Sequence, residues 1–208
     1  MRMDSNLGRE DWLHAARLAL LRGGVEQVRV EKLARGLNIT KGSFYWHFKD
    51  REELLELLLR EWEDEVHGLL VQLGKRPRPE KLSLFLRLLD ERVRLSEEGK
   101  TPSDAAIFAW ASVDPEIARR VNKAEETRIR QLQHLVGGRN RMELFYLAWI
   151  GFVARGQRLP ESRKRFPAIA RLLLKSVYTH SGAGARRPRG STTARRGAAK
   201  LALKPQVE

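Results

Sequence analysis

The residues best placed to do chemistry stand together in the run Thr40-Lys41-Gly42-Ser43-Phe44-Tyr45-Trp46-His47-Phe48-Lys49. Their types suit gripping a phosphate and reading a base edge, not breaking a bond. Thr40 reads as the cap of a short helix, leaving the amides of Lys41 and Gly42 at a positive helix end where a phosphate binds well. Gly42 lets the backbone come close to a nucleic acid, and Lys41 and Ser43 can reach base edges or phosphates. Lys49 is placed to meet a phosphate beside the start of the next helix. Phe44 and Phe48, four apart, share a face and are expected in a core. Tyr45, Trp46 and His47 are left either to pack the small unit or to face a partner.

Rival chemistries have no foothold. The chain of 208 residues contains no Gly-x-Ser-x-Gly elbow, phosphate loop or dinucleotide fingerprint. Its five histidines (His14, His47, His67, His134, His180) are too scattered to suggest a metal site, and Glu61, Glu65 and His67 read as a solvated helix face. The absence of cysteine removes thiol nucleophiles, disulfides and thiolate zinc sites. Neither an enzyme nor a cofactor nor a metal is expected.

Charge points the same way. Forty Lys+Arg against 26 Asp+Glu give a formal charge of +14, which makes nucleic acid the first partner to test. Residues 1–50 hold nine basic against six acidic side chains, and residues 183–208 hold seven against one. That last stretch is rich in Ala, Gly, Arg and Ser/Thr with no aromatic residue, so it reads as a flexible basic tail, either touching phosphates or simply solvated. The longest strongly apolar stretch, Leu144 to Ala154, is too short to span a membrane, and the first residues lack a secretory core. A soluble, cytoplasmic protein is expected.

The elements that must hold the polar run are all helical, since no alternating β-branched run is bounded by turn signals. Apolar periodicity predicts helices over Arg9–Arg22, Val30–Leu37, Thr40–Phe48 and Asp50–Gly74, the last opened by Asp50 with Glu53 in a capping box. Further helices follow from Pro77 past Val93, over Asp104–Ala111, from Asp114-Pro115-Glu116 to Gly137, over Met142–Val153, and from Glu161 or Phe166 to Tyr178. About nine helices result, in an all-α chain. A three-helix unit over residues 1–50 precedes a larger bundle over 51–181 and the tail 182–208. The segment 142–153 is apolar nearly all round and needs cover on every side, which a second subunit would supply.

Two short helices joined by a tight turn at Asn38-Ile39 make a helix-turn-helix. The run Asn38 through Leu54 resembles, in detail, the tetracycline-repressor (TetR) family of bacterial transcription regulators. The family pattern is Ser/Thr-Lys-Gly, a small polar residue, Leu/Phe-Tyr, any residue, His-Phe, a polar turn and an amphipathic helix. The detailed likeness covers about residues 10–60. It implies that Tyr45 and His47 contact phosphate oxygens, with Trp46 near the backbone or a thymine methyl. Arg29 stands where the family usually has a capping Thr; it can reach a phosphate, but the cap is lost. Asn38 replaces the usual turn glycine and tolerates positive φ.

The resemblance further implies a homodimer on palindromic double-stranded DNA, released when an unknown small-molecule effector shifts the helix Arg51–Leu73. A non-specific, architectural DNA binder using the basic tail is the alternative. Effector-pocket candidates are Trp62, Phe85, Leu89, Phe108, Trp110, Arg128, Leu132 and Trp149, although an aromatic stripe at helical spacing is more often plain core. Arg128, in register with an apolar stripe, would pair with an acid such as Asp90 or Glu125, reach water, or hold an anionic effector. The dimer interface is expected from Phe145, Trp149, Phe152, Ile169, Leu173 and Val177.

Overall fold

A computed structural model describes residues 7–74 and 76–179. The basic tail therefore lies outside the described residues. Among those described there are eight α-helices and three short 3-10 segments: α1 (Arg9–Gly23), α2 (Val30–Gly36), α3 (Arg51–Leu73), α4 (Arg78–Glu97), α5 (Asp104–Ala111), α6 (Pro115–Val136), α7 (Arg139–Arg158) and α8 (Phe166–Thr179). The 3-10 segments are Val25–Gln27, Lys41–Trp46 and Pro160–Arg165. No strand occurs among the described residues, and no helix among them is long and apolar enough to cross a membrane.

Helix ends follow their local chemistry. Asp114 caps α6 by accepting from the amides of Glu116 at 2.9 Å and Ile117 at 3.2 Å, with Pro115 at the first position. The far end stops at Gly137, whose φ of 86° lies in the left-handed region. Replacing Asp114 with Ala should lower stability by about 1 kcal/mol, since both amides lose their acceptor; urea unfolding midpoints would show it. At α3, Asp50 Oδ1 accepts from Glu53 N at 2.8 Å, while Glu53 Oε2 accepts from Lys49 N at 2.6 Å. The reciprocal box therefore forms one residue further out than the sequence suggests.

The polar run differs from expectation. Lys41–Trp46 winds as a 3-10 segment, not an α-helix reaching Phe48, and the Thr40 side chain makes no cap hydrogen bond. Six residues are too few to repay α-helix nucleation, and three consecutive aromatics lose rotamer freedom in an α-helix. What holds the segment is packing: Phe44 meets Trp12 edge-on at 5.1 Å and stacks on Phe48 at 5.0 Å.

The interior has two apolar clusters. The first joins α1, α2, Phe44, Phe48 and the first half of α3 to α5 and the start of α6, so one core runs across residue 50. The second joins the end of α3 to α4, the second half of α6, α7 and α8. Helix α3 belongs to both, which makes it the rod linking the N-terminal unit to the bundle.

Candidate DNA-reading surface and ligand cavity

The turn ahead of the polar run is made by Asn38, with φ of 57°, the conformation its side chain was expected to tolerate. Beyond it the segment divides into two faces. Phe44 and Phe48 are buried, whereas Trp46 is 88% exposed and Tyr45 59% exposed, with Thr40, Lys41, Gly42 and Lys49 also open to solvent. Ser43 and His47 are half-buried. The run thus presents two cations, hydroxyls and two aromatic rings along one edge. A Cβ on Gly42 would make only an ordinary contact, 3.7 Å from Thr40 Oγ1, so nothing inside the protein demands glycine there. Arg29 stands apart: its Nε donates to Glu26 O at 2.9 Å and its guanidinium lies 3.5 Å from the Glu26 carboxylate. Its backbone precedes α2 without a side-chain cap, as the loss of Thr implies.

In the bundle, α3, α4, α6 and α7 enclose a cavity of about 380 Å³. Five of the eight residues singled out for a pocket line it: Phe85, Leu89, Arg128, Leu132 and Trp149. Trp62, Phe108 and Trp110 do not. They belong to the first core, where Trp62 and Phe108 meet edge-on at 6.0 Å, because the stripe they form faces α1 and α6 rather than the second half of the bundle. Sequence periodicity cannot tell which of two cores a stripe serves.

One end of the cavity is polar, centred on Asp104, a residue the periodicity did not single out. Its carboxylate is buried and accepts from Trp62 Nε1 at 2.6 Å, Trp149 Nε1 at 2.8 Å, and Arg92 Nε and Nη2 at 3.0 and 2.6 Å. Burial alone would raise its pKa; the Arg92 guanidinium first, then Arg128 and the Trp62 indole, outweigh that and hold the carboxyl well below the usual range. Arg92 also pairs with Glu65. Arg128 is buried, as its register allows, but its partner is Asp104 at 3.7 Å, not Asp90, which is exposed. Arg128 donates to Trp62 O at 2.7 Å and lies over that indole ring at 3.8 Å. The signal that could have found Asp104 is an acid inside the otherwise apolar segment Asp104–Ala111; as a helix-start residue it attracts no notice.

Residues 13–58 match the family model described as bacterial regulatory proteins of the tetR family. They contain the whole polar run, its turn and the start of α3. Over these residues the chain is similar to the TetR family. Over its length the chain also resembles a solved structure titled as the fatty acid degradation regulator FadR from Bacillus halodurans, with a TM-score of 0.63 at 15% identity, covering 86% of this chain and 97% of that one. The all-α architecture, N-terminal unit and helical bundle together, therefore shares that structure's fold.

Two further features of this TetR-like fold went unseen in the sequence. The first is how the N-terminal unit is tied to the bundle. Arg17 is buried and donates from Nε and Nη2 to Glu61 at 2.9 and 2.8 Å, and from Nη1 to Glu10 at 2.6 Å and Gly99 O at 3.3 Å. A Cβ at Gly99 would lie 2.8 Å from Leu18 and 3.0 Å from His14, and φ there is +69°, so only glycine lets the end of α4 rest on α1. Arg51, at the first position of α3, donates to Val28 O at 2.6 Å and Val25 O at 2.9 Å.

The second is the face left open by α7 and α8. Phe145 and Trp149, expected at a dimer interface, turn inward: both are buried within the protomer and line the cavity. Phe152 is half-buried, packing on Trp149 and on Phe166 at 4.2 Å. The outward apolar residues are Leu144 and Leu147 of α7, 51% and 66% exposed, and Ile169 and Leu172 of α8. Leu173 is half-buried, and the Val177 side chain lies outside the described residues. Residues 142–153 are apolar nearly all round, one side turned to the cavity and the other open, and 3.6-residue periodicity is silent on which side is which.

Proposed function

We propose that the chain is a transcriptional repressor that binds a palindromic operator as a homodimer and leaves it when a small molecule enters the bundle cavity. The observation that carries the reading is the open edge of the polar run, where Trp46 and Tyr45 are exposed on top of a buried Phe44–Phe48 pair. Large aromatic rings held rigidly in water, between Lys41 and Lys49, are costly unless a partner covers them. In this reading Thr40, Lys41, Gly42 and Ser43 lead into the major groove, Tyr45 and His47 bind phosphate oxygens, and Trp46 lies against the backbone or a thymine methyl. Lys49 and Arg29 supply flanking phosphate contacts. Gly42, which the protein's own packing does not require, is explained by close approach of DNA.

Domains follow function: 1–50 reads DNA, and 51–181 binds the effector and the second chain. Effector release works through α3. Its second half lines the cavity with Glu65, Leu69 and Gln72, while its first half is fastened to the reader by Arg51 and the Arg17–Glu61 pair. A ligand that repositions α3 moves both readers of a dimer out of the roughly 34–36 Å spacing that one DNA turn requires. The similar structure's title as a regulator of fatty acid degradation adds support for a sensing role, without naming this chain's ligand.

Fluorescence anisotropy with single substitutions tests the reader. Tyr45→Ala should weaken binding to every DNA sequence by about tenfold or more, while Lys41→Ala should also reduce the slope of log affinity against log salt by about one. Unchanged affinity in both variants, with folding intact by circular dichroism, would remove this edge from the DNA interface.

A further inference from the structure

The polar end of the cavity has charges that already cancel, and beyond the ion-paired Glu65 carboxylate its spare hydrogen-bonding atoms are donors. Arg92 and Arg128 face Glu65 and Asp104, two cations against two anions. Nε of Arg128 and the hydroxyl of Tyr146 have no well-placed hydrogen-bond partner, although Glu125 and Arg128 lie near enough to the phenol to act on it; both side chains line the cavity and are only 6% and 8% exposed. Leaving buried donors unpaired is costly, so an acceptor brought to them recovers a large term. The remainder of the wall is hydrocarbon and aromatic, from Leu69, Phe85, Leu132, Met142 and Phe145.

The acceptor's charge is decided by its surroundings. A free carboxylate would gain two donors but would share the site with the ionised Asp104, with Glu125 close enough to act on Tyr146, and with Glu91 on the lining. It would also have to shed its water in a pocket with no net positive charge to replace it. A carbonyl oxygen offers two lone pairs and no charge. We propose that the cavity takes a small amphipathic molecule with an uncharged carbonyl head, such as an ester, thioester, amide or ketone, its oxygen accepting from Arg128 Nε and the Tyr146 hydroxyl and its apolar body lying along Phe85, Leu132 and Phe145. This rests on reading the cavity as the effector site. Burial keeps the Tyr146 phenol above its ordinary pKa, so it stays protonated and able to donate.

The test uses the full chain and three probes with the same hydrocarbon body: methyl octanoate, octanoate and octane, titrated near neutral pH by following tryptophan fluorescence, since Trp149 lines the cavity. Methyl octanoate should bind at least tenfold more tightly than octanoate and severalfold more tightly than octane. Tyr146→Phe should weaken the ester by about fivefold and leave octane unaffected, as expected for loss of one neutral hydrogen bond. Octanoate binding as tightly as the ester, the ester binding no better than octane, or no binding by any probe would overturn the proposal, and these arms need no variant to fold. DNA release is read separately by anisotropy: an ester that binds without releasing DNA contradicts the effector-release reading while leaving the ligand class standing.

Discussion

Asp104→Ala should lower the unfolding free energy by about 3–5 kcal/mol, because it leaves the buried Arg128 without its anion and Arg92 with Glu65 alone. Arg92 and Arg128 both face this carboxylate, and the Trp62 and Trp149 indoles lose their acceptor with it. Against a typical total of about 5–15 kcal/mol, that is a large share. Chemical denaturation of wild type and variant gives the number directly. A drop under about 1 kcal/mol would mean that water reaches the cluster freely. The sign with pH is fixed by the same contacts. Since the folded carboxyl is held below its unfolded value of about 4, its contribution is complete above that value and is lost as pH falls below it. Asp104→Asn should therefore show a flatter stability profile on acidification than wild type does.

Placing glutamate at both Leu144 and Leu147 should convert the proposed dimer to monomers at micromolar concentration and weaken operator binding by 100-fold or more. Both leucines are largely exposed on the protomer, so the fold has no reason to fail. In a two-fold interface each substitution acts twice, and burying one leucine is worth about 1.5–3 kcal/mol, so four lost contacts and four buried charges exceed what such an interface tolerates. Sedimentation equilibrium reads the oligomer and anisotropy reads the DNA. A variant that stays dimeric would place the contact elsewhere than the α7–α8 face.

How much of this could be read from residues alone depends on the distance over which they act. The caps at Asp50 and Asp114, the turn at Asn38 and the split between Phe44/Phe48 and their neighbours are local, set within four residues, and each is realised in the structure. The 3-10 winding of Lys41–Trp46 was not legible, because α and 3-10 turns share their residue preferences and tertiary packing chooses between them. The Asp104 cluster was invisible for a different reason. Its partners Trp62, Arg92 and Trp149 lie 42, 12 and 45 residues away, and no periodicity links acids to bases across helices. Arg17 with Gly99, 82 residues apart, is the same case. The inward turn of Phe145 and Trp149 shows a third limit, since an all-apolar helix has no polar face from which to infer direction.

The central claim is that the edge from Thr40 to His47 reads a defined DNA sequence in two copies. Selection from a random duplex pool, at moderate salt and with the full chain, addresses it most directly. The account predicts enrichment of a two-fold symmetric site, bound by two chains and at least about 10³-fold tighter than unselected duplex. A pool that emerges without a shared sequence, or with affinity set by length and salt alone, would contradict it.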